Sequence, residues 1–392
     1  SGYMFESALE SGFAAAGVDV YLTGPIPTPA IAFLTKSLNA DIGVSITASH
    51  NPYDDNGIKL FSNQGTKLPQ SIERQIEEIV ESDIKVVPAH RLGKAKRLDD
   101  ARDRYEAFCL STVPKNFTLA GKKIILDCAH GATYHVAPSI FSHLGADIQI
   151  INNQPNGLNI NENAGSIHPE FLIKAVLIAK ADLGIAFDGD GDRLIMVDEL
   201  GQLIDGDQIL FLLLKSYLQQ NIMSGGLVGT LMSNLALEEK CKEMNIPFTR
   251  AKVGDKYVAE ALREKKWIIG GENSGHIVLL DKHSTGDGII SSLQLIASLQ
   301  SNQESLSQAL SNFPMYPQKL INITSIGKFN VDGNEVKPLI EQANEMMEGK
   351  GRVLIRESGT QPLIRVMTEG PDVEKVIKSA QFLADSINQT SQ

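Results

Sequence analysis

A chain of 392 residues exceeds one ordinary core, and 42% apolar with 6% aromatic content suits several well-packed α/β domains. A formal charge of −11 argues against a general nucleic-acid binder, since the basic run at 91–97 is short and leads into Asp99 and Asp100. An anionic small-molecule substrate stays open wherever cations converge locally. Cys109, Cys128 and Cys241 stand far apart in no metal-ligand spacing, so inert thiols in a reducing, cytoplasmic compartment are expected. No apolar run approaches ~18 residues and no signal peptide is visible, so no membrane partner is expected. The sequence opens at Ser1-Gly2-Tyr3 without Met, which leaves a longer parent protein open.

Three segments repeat a rhythm of strand, crossover helix, strand and polar loop. In the first, 18–22 reads as a strand, 29–38 as a helix and 41–46 as a strand entering Thr47-Ala48-Ser49-His50-Asn51-Pro52. In the second, strand 148–151 and helix 169–179 precede strand 182–187, which feeds Asp188-Gly189-Asp190-Gly191-Asp192-Arg193. In the third, strand 246–250, helix 255–264 and strand 267–270 lead to Gly271-Glu272-Asn273-Ser274-Gly275-His276. Continuous apolar runs of this kind are buried sheet strands. Right-handed crossovers would lay the helices on the sheets, with ligands gathering where loops leave the carboxyl ends of strands. Generic α/β patterning gives a similar rhythm, but a true repeat would present three functional loops from equivalent places. The tail differs. Behind Pro314 and Pro317, strands at 319–323 and 351–355 flank a helix at 335–348, and strand 363–368 and helix 372–387 follow, as in a small α+β domain after a proline-marked linker.

The densest chemical signal is Asp188-x-Asp190-x-Asp192, three carboxylates in five residues that need a cation to neutralise them. The run also fits the opening of an EF-hand loop, with Glu199 at the twelfth place. Against that reading, Arg193 takes the sixth place, where the loop needs Gly, and apolar strand-like runs flank it instead of helices. Three aspartates plus a phosphate oxygen suit Mg²⁺. Ser49 follows an apolar strand in a tight turn with His50, Asn51 and Pro52, and Lys59 stands just beyond. A serine there is ordinarily a turn or cap residue; one carrying a phosphate would need such donors and a metal nearby. A Ser/His/Asp hydrolase is the rival, but no Gly-x-Ser-x-Gly elbow surrounds Ser49.

Glu272, Ser274 and His276 would point to one side if their Gly-bracketed loop stays extended, so that carboxylate and hydroxyl bind neighbouring sugar hydroxyls; a plain polar turn is the alternative. Last, Arg356-Glu357-Ser358-Gly359-Thr360-Gln361-Pro362 with Arg365 gathers two arginines, two hydroxyls and glycine-freed N–H groups, as a phosphate site requires.

These loops, in this order and over nearly the whole chain, resemble the α-D-phosphohexomutase family. The resemblance implies an α/β fold of three similar domains with mixed sheets plus a smaller C-terminal α+β domain, arranged as a four-domain heart. The expected divisions are 1–110, with its N-terminal part missing, then 111–205, 206–314 and 315–392. It further implies that Ser49 is the phosphoserine and that Asp188, Asp190 and Asp192 hold one Mg²⁺ with it. Arg193, Lys252, Glu272 and Ser274 would bind the sugar phosphate, with Arg356, Ser358, Gly359, Thr360 and Arg365 on the distal phosphate. His50, Lys59 and His276 would transfer protons or neutralise charge.

The stretches 229–234, 251–257, 272–276 and 285–288 are most similar to the amino-sugar branch. That branch implies interconversion of glucosamine 6-phosphate and glucosamine 1-phosphate on the route to UDP-N-acetylglucosamine and cell wall. Glucosamine 1,6-bisphosphate would be activator and intermediate, and a homodimer is implied by the resemblance alone. Two departures stand out: Gln361 replaces the family's usual Glu, and its opening Gly-Thr-Asp-Gly-x-Arg-Gly segment is absent from the sequence. The rivals are a glucose- or mannose-phosphate mutase, a non-catalytic sugar-phosphate sensor and a Mg²⁺-dependent phosphatase.

Overall fold

A computed structural model of the chain describes residues 1–80, 82, 85–324, 333, 336–357 and 363–390. The chain forms two compact units, Ser1–Thr230 with Ala251–Ser311, and Leu231–Arg250 with Asn312–Gln392.

The first unit begins with α1 (Gly2–Ala15), β1 (Val20–Leu22), α2 (Thr28–Ser37), β2 (Ile42–Thr47), β3 (Gly57–Ser62), α3 (Gln70–Val80), β4 (Ala95–Arg97) and α4 (Ala101–Ser111). Strands β2 and β3 make an antiparallel hairpin in register from Ile42↔Ser62 to Thr47↔Gly57. The crossover expected from β1 to β2 within one sheet is not formed. Strand β1 has three residues and pairs in parallel with β4 instead. A cavity of about 840 Å³ lined by Val20 and Leu22 of β1, Ile42 and Val44 of β2 and Leu34 of α2 accompanies this separation.

Next come β5 (Lys123–Asp127), α5 (Val136–His143), β6 (Asp147–Ile151), α6 (Glu170–Ala179), β7 (Leu183–Phe187), β8 (Leu194–Asp198) and β9 (Leu203–Ile204). They build a five-stranded mixed sheet ordered β6-β5-β7-β8-β9, parallel across its first three strands and antiparallel across the rest. Every residue of β7 and β8 is buried, which explains their unbroken apolar sequence. Helix α6 packs Leu172 and Val176 on Ile125, Ala186 and Val197. Truncating Leu172 to Ala would cost about 2–5 kcal/mol.

Then follow α7 (Gly206–Gln219), β10 (Leu227–Thr230), α8 (Leu235–Glu243), β11 (Phe248–Ala251), α9 (Asp255–Lys265), β12 (Ile269–Gly271), β13 (Ile277–Leu279), α10 (Gly288–Asn302) and α11 (Leu306–Ala309), of which α8 and all but the last residue of β11 belong to the second unit. Asp205 and Gln208 close a capping box at the start of α7, satisfying N–H groups that have no intrahelical partner. Strand β10 runs parallel to β12, and β12 antiparallel to β13. Helix α9 packs Val258 and Leu262 against Val228 and Val278.

The three polar loops therefore occupy one equivalent place. Each is the hairpin connection between a strand and its antiparallel neighbour: β2 to β3, β7 to β8, and β12 to β13.

In the second unit, β14 (Gln318–Thr324), α12 (Val336–Met346), β15 (Arg352–Glu357), β16 (Leu363–Glu369) and α13 (Val373–Thr390) form an antiparallel sheet ordered β14-β16-β15 under two helices. Val336, Ala343, Leu383 and Ile387 pack on Ile323, Ile364 and Val366. The buried Glu369 accepts from Arg352, whose guanidinium also donates to the Leu231 and Ser233 carbonyls. Among the described residues no helix is long and apolar enough to cross a membrane.

Candidate active site

Ser49 sits two residues past the end of β2 with φ +53, a left-handed conformation that a serine holds only under external constraint. Its N–H donates to Thr47 Oγ1 at 2.7 Å, and the Asn51 N–H to the Ala48 carbonyl at 2.9 Å. From the β6–α6 loop, Asn161 Nδ2 donates to the carbonyls of Ser49 and Asn51 at 2.9 and 2.8 Å. The turn lies hard against the β7–β8 loop: a Cβ at Gly189 would be 2.5 Å from the Ser49 carbonyl oxygen, so only glycine admits this approach.

That loop carries Asp188, Asp190 and Asp192, 0%, 3% and 4% exposed, with ligand oxygens within 4.8 Å of one another. Lys59 of β3 reaches across to it, its Nζ lying 2.7 Å from Asp190, 3.0 Å from Asp192 and 3.3 Å from Ser49 Oγ. Thr28, at the start of α2, donates to Asp190 Oδ2 at 2.7 Å, and the Arg193 N–H to Asp188 Oδ1 at 3.1 Å. Three carboxylate oxygens, Asp188 Oδ2, Asp190 Oδ1 and Asp192 Oδ1, are buried with no hydrogen-bond partner among the described residues. Orphaned acceptors of this kind are costly unless something positive faces them.

Burial, then the charges of Asp192 and Asp190, push the Asp188 carboxyl well above its ordinary range. Burial also works against the Asp192 carboxylate, but Lys59, His276 and Arg193 outweigh it and hold Asp192 well below. Burial opposes the Lys59 ammonium too, yet Asp192 and Asp190 raise it far above its ordinary value, so it stays charged. All-oxygen ligands without partners fit a hard divalent cation such as Mg²⁺. The EF-hand reading fails on geometry, since strands β7 and β8 flank the loop.

The third loop does not stay extended. Residues 272–276 form a tight turn in which the Gly275 N–H donates to the Glu272 carbonyl at 3.0 Å and Gly275 adopts φ +93. The side chains accordingly diverge. Glu272 accepts from the Gly254 N–H at 2.9 Å, while His276 turns to the acidic loop, with Nδ1 3.5 Å from Asp192 and Nε2 4.0 Å from Asp255. Burial would lower His276, but Asp192 and Asp255 raise it above its ordinary value. Asp255 is in turn paired with Lys67. His50 is held below its ordinary value, by burial first and then by Arg193. Lys252 lies over the Tyr257 ring, 5.8 Å from its centroid, and Ser274 is half-buried; among the described residues no hydrogen bond or ion pair ties either to the acidic loop.

In the second unit, Arg356 of β15 stands directly opposite Arg365 of β16. Burial and then the facing Arg365 lower the affinity of Arg356 for its proton, and Arg365 Nε is buried without a partner among the described residues. Two half-buried guanidinium groups set opposite each other repel, and an anion between them would relieve that repulsion. Ser358, Gly359, Thr360 and Gln361 lie outside the described residues.

Sequence reasoning missed Asn161, Thr28 and Asp255. The run 152–163 holds six asparagines in twelve residues, a density that an ordinary αβ connection does not need and that could have flagged the first. Thr28 and Asp255 carry no such signal, because each reaches the site through the fold.

Comparisons with known proteins agree with this fold. Residues 1–86, 105–201 and 205–316 match the phosphoglucomutase/phosphomannomutase α/β/α domains I, II and III, and 317–386 match its C-terminal domain. The phosphoglucosamine mutase of Pseudomonas fluorescens (strain SBW25) is 53% identical over 99% of this chain and 88% of its own length. That of Methylobacillus flagellatus is 53% identical over 99% of this chain and 86% of its own. In fold, the chain is similar to a phosphoglucomutase/phosphomannomutase family protein from Burkholderia thailandensis, with TM-score 0.81, 23% identity and 99% and 87% coverage of the two chains. It is also similar in fold to the N-acetylphosphoglucosamine mutase of Aspergillus fumigatus, with TM-score 0.74, 18% identity and 98% and 94% coverage. The chain belongs to the phosphoglucomutase/phosphomannomutase family, the α-D-phosphohexomutases.

Proposed function

We propose that this enzyme interconverts glucosamine 6-phosphate and glucosamine 1-phosphate through phospho-Ser49 and glucosamine 1,6-bisphosphate. The substrate rests on the relatives, several of which are phosphoglucosamine mutases 52–54% identical to nearly the whole chain. The chemistry rests on one observation: a single ammonium, Lys59 Nζ, touches Ser49 Oγ, Asp190 and Asp192 together. It puts a nucleophilic hydroxyl beside a carboxylate cluster that still has acceptors to spare.

In the first half-reaction the 1-hydroxyl of glucosamine 6-phosphate attacks the phosphorus of phospho-Ser49. The P–O(Ser49) bond breaks, the P–O1 bond forms and the hydroxyl proton leaves. After the bisphosphate reorients, Ser49 Oγ attacks the 6-phosphoryl group and the freed O6 takes up a proton, giving glucosamine 1-phosphate. A Mg²⁺ held by Asp188, Asp190, Asp192 and a phosphoserine oxygen would supply positive charge against the transferring phosphoryl group. Lys59, its ammonium held charged by Asp192 and Asp190, does the same from the β3 side. His50, kept neutral at pH 7 by burial and Arg193, is the proton acceptor of this reading. His276 lies between Asp192 and Asp255 and orients Asp192. Glu272, Ser274, Lys252 and Arg193 would read the sugar, and Arg356 and Arg365, with Ser358, Gly359 and Thr360, its far phosphate.

The reading includes the four divisions 1–110, 111–205, 206–314 and 315–392. It also includes a cytoplasmic location, in keeping with three free, buried cysteines, and a homodimer, which sedimentation would test. The substrate is tested by comparing kcat/KM for glucosamine, glucose and mannose 6-phosphates with Mg²⁺ and the matching bisphosphate. A preference of ~10²-fold or more for the amino sugar is expected. Equal rates on glucose or mannose 6-phosphate would return the substrate to the other branches of the family.

A further inference from the structure

We propose that Asn161 is a positioning residue for Ser49, acting through the backbone of the turn that carries it. The inference rests on the reading of Ser49 as the phosphoryl carrier and adds the device that aims it. Asn161 is 4% exposed, and its single amide nitrogen serves two carbonyls of one turn, Ser49 at 2.9 Å and Asn51 at 2.8 Å. Carbonyls only accept, so the amide face toward the turn is its nitrogen, and both Nδ2 protons are used. These two bonds close the turn from outside, where its own backbone supplies the Asn51-to-Ala48 bond alone.

What they hold is a serine at φ +53, a conformation costing about 1–3 kcal/mol that persists only when its surroundings over-determine it. Asn161 is itself anchored, its N–H donating to the Ala129 carbonyl at 2.9 Å. The preceding side chain, Ile160, lies against Gly189 of the acidic loop, where a Cβ would come within 2.6 Å of Ile160 Cδ1. One short stretch thus touches the serine turn and the carboxylate loop together and sets the place of one relative to the other. Removing the carboxamide frees the turn to relax out of the left-handed region and carries Oγ away from the line of transfer. A displacement of about 1 Å there costs on the order of 10²-fold in rate.

A residue that merely fills space would behave otherwise, and aspartate separates the two roles. It matches asparagine in shape, but it replaces both donors with acceptors that repel the two carbonyls. The test measures kcat and KM for glucosamine 6-phosphate, with Mg²⁺ and glucosamine 1,6-bisphosphate, together with thermal unfolding. The variants are Asn161→Ala, Asn161→Asp and Asn159→Ala. Asn159 braces the same loop through the Gln154 carbonyl and the Asn156 N–H without touching Ser49. Asn161→Ala is expected to lower kcat ~10–100-fold with KM within ~3-fold, and Asn161→Asp to lose at least as much. Asn159→Ala is expected to keep kcat within ~3-fold. Wild-type kcat in Asn161→Asp, or an equal loss in Asn159→Ala, would overturn the inference. Should Asn161→Ala fail to fold, Asn161→Ser offers one donor where two are needed, and unaltered kcat in that variant would overturn it equally. A wild-type chain without mutase activity would defeat the proposed function instead, so the two failures are told apart.

Discussion

The β7–β8 loop of one unit and the β15–β16 pair of the other carry unsatisfied groups of opposite kind. In the first, three buried carboxylate oxygens have no hydrogen-bond partner among the described residues, while Lys59 takes up other oxygens of Asp190 and Asp192. In the second, two arginines stand opposite each other, one with a buried donor that has no partner among the described residues. Neither arrangement is fully compensated, because Lys59 is one ammonium against three buried carboxyl groups and desolvated groups of one kind raise the free energy until a partner arrives. The difference teaches what each region is suited to bind: in the proposed reading the orphaned acceptors would take a cation and the orphaned donor an anion. A phosphosugar mutase needs both.

Four changes would break or sharpen this contrast. Ser49→Ala removes the proposed phosphoryl carrier, and turnover should be abolished while thermal unfolding and Mg²⁺ stabilisation persist; residual mutase activity would sever the serine from the chemistry. Asp190→Asn removes one acceptor, and kcat should fall ~10²–10³-fold. The wild type should also unfold at a higher temperature with Mg²⁺ than with a chelator, by about 2.7 kcal/mol at a hundredfold excess over Kd. That gap should shrink in Asp190→Asn, and an unchanged gap would detach the cation from the triad.

On the cationic side, Arg365→Ala should raise KM for the sugar phosphate ~10–100-fold, the worth of a charged hydrogen bond, with kcat changed less. A fall in kcat at constant KM would instead place this arginine at the transferring phosphoryl group. The smallest effect belongs to a control, His283. It is buried with both nitrogens engaged, by the Pro29 carbonyl and the Ser284 N–H, and stands 3.9 Å from Asp287. Burial lowers its pKa from 6.5 to about 4. Between those values the unfolded chain binds a proton that the folded chain refuses, so stability falls as pH drops through the window. From pH 7 to 5.5 the loss should be about 1 kcal/mol, flattened in His283→Gln. An equal slope in both proteins would assign the pH dependence elsewhere.

The strands and helices around the loops were legible because buried strands such as 183–187 leave an unbroken apolar signature, and because each chemical loop begins where that signature stops. The hairpin geometry that makes the loops equivalent was not legible, since it depends on an antiparallel partner whose pairing no local pattern states. The third loop shows the limit most clearly. Alternation predicted Glu272, Ser274 and His276 on one side, whereas Gly275 closes a turn that sends Glu272 to Gly254 and His276 to Asp192. The pairing of β1 with β4 escaped for a similar reason: a three-residue strand takes whichever edge the fold supplies. Asn161 was missed because its role lies in two carbonyls more than a hundred residues away.

The central claim is that Ser49 exchanges its phosphoryl group with a sugar, and labelled transfer tests it most directly. The chain would be incubated with Mg²⁺ and glucosamine 1,6-bisphosphate carrying radioactive phosphate, digested, and the labelled peptide sequenced by mass spectrometry. The account predicts label on Ser49 that leaves for the sugar when unlabelled glucosamine 6-phosphate is added. Label released as inorganic phosphate, or found on another residue, would contradict it.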